Sequence, residues 1–281
     1  MSVTPSPLLT PAPLIERLAL STGGAPIEES FERAASRGLQ WLELACQEPI
    51  NLPHTFDAER TRSLRSLIDS TGIRGVVHSA SSVNAAEIIP GVRTAVEDYL
   101  HSYIRLADSL GAETVIVHGG FYFDLDLAER LDALRMTLES CTVLAERLGI
   151  TLAVENMNVL PEYAEIRYLG CTEDEVAAII ETIDSASLTS CVDLGHAHLL
   201  PGGADAFIDR FAGRIGHVQL TDNDGVIDHH LALGEGNLDV LSALAHLDAA
   251  GYTGPVALEL SNFDAQDRSI AELKRLGALP A

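Results

Sequence analysis

The chain has 281 residues and a mass of 30.0 kDa, with 47% hydrophobic and 21% charged residues. This balance excludes wholesale disorder, collagen and a coiled coil, and no apolar run approaches the roughly 20 residues of a membrane helix, so no membrane partner is expected. Acidic residues number 41 against 18 basic ones, a net charge of −23, and such a surface repels phosphate backbones and disfavours nucleic acid as a partner.

Residues 1–13 carry four prolines and lack the basic start and apolar stretch of a signal peptide; they read as a flexible Pro-rich lead-in to one domain over residues 14–281. From there, short apolar runs alternate with amphipathic segments. The runs are Leu18–Leu20, Leu39–Leu44, Ile73–His78, Thr114–His118, Thr151–Glu155, Leu188–Asp193, Ile215–Leu220 and Val256–Leu260. Helical patterns separate them, over Pro26–Arg37, Ala58–Ser70, Val92–Leu110, Leu127–Leu148, Thr172–Ile183, Ala204–Phe211, Leu238–Ala249 and Ala265–Leu276. Gly38, Gly72, Gly111, Gly149 and Gly251 stand where helices stop. Continuous apolar strands separated by helices predict a parallel sheet covered on both faces, and eight such units in about 250 residues predict a (β/α)8 TIM barrel, an α/β fold. An open doubly wound sheet is the runner-up, but the first turn, Ser21 to Ala25, is no GxGxxG. The scattered Cys46, Cys141, Cys171 and Cys191 form no CxxC and predict a reduced, cytoplasmic protein.

The strand ends carry the chemistry. His78, His118, Glu155 and Asp193 end strands 3 to 6, and His217 and Glu259 lie inside the runs of strands 7 and 8. In a barrel these ends converge on one mouth. Carboxylates buried there without Lys or Arg are costly unless a divalent metal pairs them and takes imidazole as a neutral ligand. After strand 6, the Asp193-x-x-His196 spacing lets His196 lean back to the mouth, with His198 in a supporting role. After strand 7, Asp228 and His230 of the stretch DHHLALGEGN point the same way if extended. His54, His101 and His246 lie away from strand ends and read as surface or packing residues, and Trp41 as structural. Arg167, after strand 5, is the best loop candidate for a substrate phosphate. Tyr122, with Phe121 and Phe123, is a candidate pocket wall, with packing under the loop as the equal alternative.

At these residues the chain resembles the xylose-isomerase-like barrels, a superfamily of sugar (phosphate) isomerases and epimerases, inosose dehydratases and endonuclease IV-type nucleases. The matching segments are VVHSA, VIVHGG, LAVENMN, CVDLGHAHL, GHVQLTDNDGVIDHHLALGEGNLD and VALELS, within residues 73–261. In the isomerase branch the resemblance implies one divalent metal (Mn, Mg or Zn) on Glu155, Asp193, His217 and Glu259. Glu155 and Glu259 would exchange a proton with a small sugar, sugar phosphate or polyol through an enediolate, while His196 binds a substrate oxygen. In the endonuclease IV branch it implies three zinc ions: His78, His118 and Glu155 at one, Glu155 shared with Asp193, His217 and Glu259 at the second, and His196, Asp228 and His230 at the third. The expected cofactor is thus one to three divalent ions per chain. The leading expectation is an isomerase or epimerase with a small carbohydrate partner, because Ser79 to Ser82 offers no side chain bulky enough to wedge a duplex. A trinuclear-zinc phosphoesterase and a sugar lyase or dehydratase are the alternatives, and homo-oligomerisation stays open.

Overall fold

All eight apolar runs become parallel strands in a computed structural model that describes residues 12–123 and 127–280. The strands are β1 (Leu18–Ser21), β2 (Trp41–Ala45), β3 (Arg74–His78), β4 (Thr114–His118), β5 (Thr151–Glu155), β6 (Leu188–Asp193), β7 (Ile215–Leu220) and β8 (Val256–Leu258). Each pairs with its neighbours in sequence and β8 closes onto β1, Leu18 opposite Val256, which makes the barrel the sequence predicts. β8 ends at Leu258, two residues short of the expected run, so Glu259 sits just past the strand rather than within it. The lead-in expected over residues 1–13 lies, up to residue 11, outside the described residues.

The helices are α1 (Leu14–Arg17), α2 (Ile27–Ser36), α3 (Ala58–Thr71), α4 (Pro90–Leu110), α5 (Leu127–Leu148), α6 (Glu173–Glu181), α7 (Leu194–His198), α8 (Gly203–Arg210), α9 (Val240–Ala249) and α10 (Phe263–Arg275). Their starts follow local chemistry. The Asp57 side chain accepts from the N–H groups of Glu59 and Arg60 at the head of α3. Thr172 and Glu175 form a reciprocal capping box on α6, and Asp239 and Asn262 cap α9 and α10. Each such cap is worth about 1 kcal/mol. The five glycines expected at helix stops all have positive φ. Elements with no counterpart in the sequence reading include the four-residue α1, the single-turn α7, and a two-residue antiparallel ribbon pairing Phe121–Tyr122 with Arg167–Tyr168. No helix among the described residues is long and apolar enough to cross a membrane, and all four cysteines are free.

Two apolar clusters share the core. The larger joins the outer faces of the strands to the helices. The smaller, Val76, Ile116, Ala153 and Cys191 with Trp41 against it, fills the barrel. Side chains alternate along a strand, so residues two positions beyond Val76, Ile116, Ala153 and Cys191 also point inward. Those are His78, His118, Glu155 and Asp193. At the opposite end, the Arg74 guanidinium stacks 3.7 Å over the Trp41 ring.

One residue breaks the alternation. Between β6 and β7, Ser190 pairs with Ile215 but Cys191 pairs with His217, leaving Gly216 as an extra residue in β7. A Cβ on Gly216 would stand 2.1 Å from the Thr189 hydroxyl, so a side chain at this bulge would have to displace Thr189. Since strand faces alternate with period two, the insertion decides which β7 residues look inward. They are His217 and Gln219.

On the outer wall, His246 of α9 sits between Asp205 and Asp209 of α8, at 2.9 and 2.7 Å. The hydrogen bond to Asp209, helped by the charge of Asp205, raises the His246 pKa. A raised folded-state pKa contributes stability that is complete below the unfolded value of about 6.5 and is lost as pH rises through the folded value. His246→Ala is therefore expected to destabilise the protein by about 0.5 kcal/mol, the scale of a solvent-screened pair, near pH 5.5. The difference should shrink as pH rises through the folded-state pKa, and thermal melts of both proteins from about pH 5.5 upward check it.

Candidate metal centre

The four inward strand ends meet at one mouth. His78, His118, Glu155 and Asp193 are all buried. The Nε2 atoms of His78 and His118 approach to 3.2 Å, and each lies 3.3 Å from Glu155 Oε2. On the other side of its ring, His78 Nδ1 lies 3.4 Å from both Glu43 Oε1 and Glu259 Oε1. Asp193 caps α7 by accepting from the His196 N–H at 2.8 Å, and this turn carries the His196 ring back over the site, as the Asp-x-x-His spacing predicts.

A second group lies beside the first. His196 Nδ1 is 2.7 Å from the Asn156 carbonyl, and His230 Nδ1 is 3.1 Å from the Glu259 carbonyl. A carbonyl only accepts, so both rings carry a proton on Nδ1. Both Nε2 atoms then face Asp228 Oδ2, at 3.2 and 3.0 Å. His230 has φ 45°, the one positive φ outside glycine among the described residues. Such strain is held only where the surroundings impose it.

Several buried atoms here have no aligned hydrogen-bond partner: Glu43 Oε1, His78 Nδ1, His118 Nδ1, Glu155 Oε2, Asp193 Oδ2, Asp228 Oδ1 and Glu259 Oε2. Such a concentration of unspent acceptors is what a divalent cation relieves. Four combinations bring ligand atoms within 4.8 Å of one another: His78–His118–Glu155, Glu155–Asp193–His196, His196–Asp228–His230 and Glu43–His78–Glu259. Mixed imidazole and carboxylate donors suit Zn²⁺ or Mn²⁺, and the Nδ1 bonds of His196 and His230 to carbonyls are the support that metal-binding imidazoles receive. The residues present therefore fit a divalent metal.

The local electrostatics divides the carboxylates. Burial alone would raise Glu43, but hydrogen bonds with His217 and His78 overcome it and bring its pKa down to about 2. Burial would likewise raise Glu155, yet the charges and hydrogen bonds of His118 and His78 hold it well below the usual range. For Glu259 burial wins, opposed by His78 and reinforced by Glu155 and Glu43, and its pKa lies well above normal. Asp193 is also raised, chiefly by burial. His78 and His196 are raised well above 6.5 despite burial, by the surrounding carboxylates, and His230 is raised to about 10 through Asp228. Cation binding here must displace those protons.

The remaining expected residues fall elsewhere. His217 Nε2 lies 2.9 Å from Glu43 Oε2, across the lumen, and takes part in none of the four combinations. Gln219, which the bulge sets opposite Asp193, occupies the mouth level on β7, fully buried with its Nε2 unpartnered. The Arg167 guanidinium binds the carbonyls of Pro161 and Glu162, at 3.2 and 2.8 Å, tying down its own loop. Tyr122 is half-buried and packs on the outer core, and Phe123 is half exposed. His198 bonds Asn237 at 2.6 Å. Glu43 was not anticipated, although a carboxylate inside the apolar run WLELA is an anomaly that could have revealed it. A separate cavity of about 870 Å³ lies outside the barrel between α3 and α4, lined by Phe56, Tyr99 and Leu106, and holds no such cluster.

The xylose isomerase-like TIM barrel family model matches residues 31–277. The chain belongs to this family. A relative in Methanocaldococcus jannaschii, itself uncharacterized, is 30% identical over 84% of this chain and 80% of its own length. A probable endonuclease 4 of Mycobacterium leprae is 26% identical over 76% of this chain and 84% of its own. Among solved structures, a D-tagatose 3-epimerase-like protein superposes with a TM-score of 0.81 at 28% identity, covering 92% of this chain and 96% of that one. Membership of the xylose isomerase-like family thus places a D-tagatose 3-epimerase-like protein and a probable endonuclease 4 among the chain's relatives.

The loop that supplies Asp228 and His230 hangs on one buried carboxylate. Asp222 accepts from the N–H groups of Asn223, Gly234, Gly236 and Leu238, at 2.9, 2.8, 3.0 and 3.0 Å. A Cβ on Gly236 would stand 2.2 Å from the Asn223 carbonyl and 2.4 Å from Asp222 itself, so glycine there is what allows the approach. Hydrogen bonds to a charged acceptor are worth about 1.5–3 kcal/mol each, less than additively. Asp222→Ala is expected to cost about 3–5 kcal/mol of stability in denaturant melts. It should also weaken zinc binding at His196–Asp228–His230 more than at His78–His118–Glu155, which metal titration checks.

Proposed function

We propose that the protein is a divalent-metal-dependent isomerase or epimerase that moves a proton on a small sugar or polyol. The observation that carries this reading is the pair Glu155 and Glu259. They stand on opposite sides of the His78 ring, Glu155 Oε2 3.3 Å from Nε2 and Glu259 Oε1 3.4 Å from Nδ1. Two carboxyl groups facing the same space can divide the work of proton transfer, one taking a proton while the other gives one. Glu155 would take the proton from a carbon next to the substrate carbonyl, and Glu259 would deliver one to the carbonyl oxygen or to the opposite face of that carbon. His196, its Nδ1–H tied to Asn156, would turn Nε2 to a substrate hydroxyl, and the half-buried Tyr122 is the candidate wall for the sugar's C–H face.

Glu155, Asp193 and Glu259 would hold the metal. The ligand from β7 in this reading is the Gln219 amide oxygen, level with Asp193, which would give up the Cys191 thiol it accepts from at 3.1 Å, just as His217 would have to give up Glu43. When bound, the ion polarises the carbonyl and makes the adjacent C–H more acidic. Glu155→Gln and Glu259→Gln are each expected to lower solvent-deuterium exchange into candidate ketoses by about 10²- to 10⁴-fold, the weight of a positioned acid or base. Glu155→Gln should also lose the ion. Full exchange activity after exhaustive chelation would count against the reading.

A trinuclear phosphoesterase is the second reading, favoured by the two histidine-rich groups outside that four-residue set. The two separate at His118. For an isomerase, His118→Ala should leave exchange within about tenfold of the parent, whereas a hydrolase that needs the His78–His118–Glu155 position should lose orders of magnitude. Cleavage of an abasic oligonucleotide at moderate salt, beside the exchange assay, decides between them, and we expect exchange.

A further inference from the structure

We propose that Glu43 is a positioning residue that holds His78 with its proton on Nδ1 and so presents the Nε2 lone pair to a cation shared with His118 and Glu155. The inference rests on the mouth being a metal site, and on neither reaction in particular.

Glu43 is fully buried and belongs to β2, which contributes no other side chain to the cation groups. Its two oxygens face two imidazoles. Oε2 accepts from His217 Nε2 at 2.9 Å, a bond that spans the lumen and fixes the carboxylate in place. Oε1, which has no aligned partner, lies 3.4 Å from His78 Nδ1, which has none either. With no cation between them, an orphaned acceptor and an orphaned ring nitrogen this close satisfy one another when the nitrogen carries hydrogen. A lone pair there would face Glu43 and Glu259 together, since Glu259 Oε1 is also 3.4 Å away, and buried anions disfavour it. Of these two carboxylates, only Glu43 is tethered by a histidine; Glu259 lies at the edge of the mouth, with its side chain 12% exposed and Oε2 uncommitted. Glu43 is therefore the fixed reference and Glu259 the group left for chemistry. With Nδ1 protonated, Nε2 is the atom that can bind a metal, and it already lies 3.2 Å from His118 Nε2 and 3.3 Å from Glu155 Oε2. His196 and His230 obtain the same tautomer from backbone carbonyls; His78, deeper in the barrel, obtains it from a carboxylate, and a carboxylate behind the ring also makes Nε2 a stronger ligand.

The test is Glu43→Gln. Glutamine offers one acceptor and one donor where glutamate offers two acceptors, so His217 and His78 cannot both be served. Chelator-competition titration with Zn²⁺ should find the position that includes His78 weakened by about 10- to 100-fold, the usual cost of losing such support. The His196–Asp228–His230 position should change by less than about threefold, which also reports that the fold survives. Glu43→Asp, which keeps two acceptors, should recover part of the loss. The tautomer is read independently in the parent protein, by long-range ¹H–¹⁵N correlation on histidine-labelled, zinc-loaded material. The His78 signals are assigned by their loss in His78→Gln, and the proton is expected on Nδ1 with Nε2 shifted by zinc. A proton on Nε2, a His78 ring that zinc does not perturb, or unchanged zinc affinity in Glu43→Gln would each overturn the inference. If zinc bound elsewhere in the mouth with His78 untouched, the metal-dependent reading would stand without it; if no divalent ion bound at all, both would fall.

Discussion

Four carboxylates, Glu43, Glu155, Asp193 and Glu259, are packed into one end of a barrel with no lysine or arginine among them. Each buried charge costs roughly several kcal/mol unless something answers it. Here the answer is imidazole. His78 faces Glu43, Glu155 and Glu259; His217 bonds Glu43; His196 faces Glu155, Asp193 and Asp228. Protons on the His78 and His196 rings, whose pKa values the carboxylates raise, balance those carboxylates and occupy atoms a metal would use. The same constraint therefore makes the fold tolerable and keeps the mouth ready for a cation, because removing a proton from Nε2 and placing a divalent ion there exchanges one compensation for a stronger one.

The scaffold meets that constraint through departures from regularity. An ideal β7 would offer alternate residues in a fixed register with β6. The bulge at Gly216 shifts it, so that His217 crosses the lumen to Glu43 while Gln219 reaches the mouth beside Asp193. Past the same strand, Asp222 gathers four backbone N–H groups and folds the long connection back, which brings Asp228 and a strained His230 against His196. Neither device touches the space where a metal or substrate would sit, yet both decide which side chains do.

Much of this was legible in the sequence because it depends on period and position. Apolar runs between amphipathic segments give strands and helices, eight of each give the barrel, and a strand end is a place at the mouth. His78, His118, Glu155 and Asp193 follow from that rule alone, and His196 from the short Asp-x-x-His spacing, although the sequence reading places it in a loop and not on α7. What lay beyond reach depends on register or on partners far along the chain. Nothing local in IGHVQL says that Gly216 is an extra residue, so the inward set of β7 could not be separated into a deeper His217 and a shallower Gln219. Glu43 looks like one polar interruption in an apolar strand until β7, 174 residues later, supplies its histidine. Arg167 stood out as the one base in a βα loop, and its carbonyl partners appear only once the loop is folded.

That arginine bears on what the mouth admits. The segments between each strand and the next helix contain no other lysine or arginine. The bases that open the following helices have acidic neighbours: Arg60 binds Glu28, Arg93 lies near Glu97, Arg130 near Glu87, and Arg268 of α10 binds Glu235. An anionic substrate approaching this surface meets a net charge of −23 and few side-chain cations to steer it. Any phosphate it carried would have to be received by the ions in the mouth or by backbone N–H groups. A neutral polyol or keto-sugar meets no such barrier: its hydroxyls can satisfy the unspent carboxylate atoms directly, as hydrogen-bond donors to Glu259 and Asp228. The excess of acceptors that fits the mouth to a cation thus also favours a substrate rich in hydroxyl donors and without charge of its own.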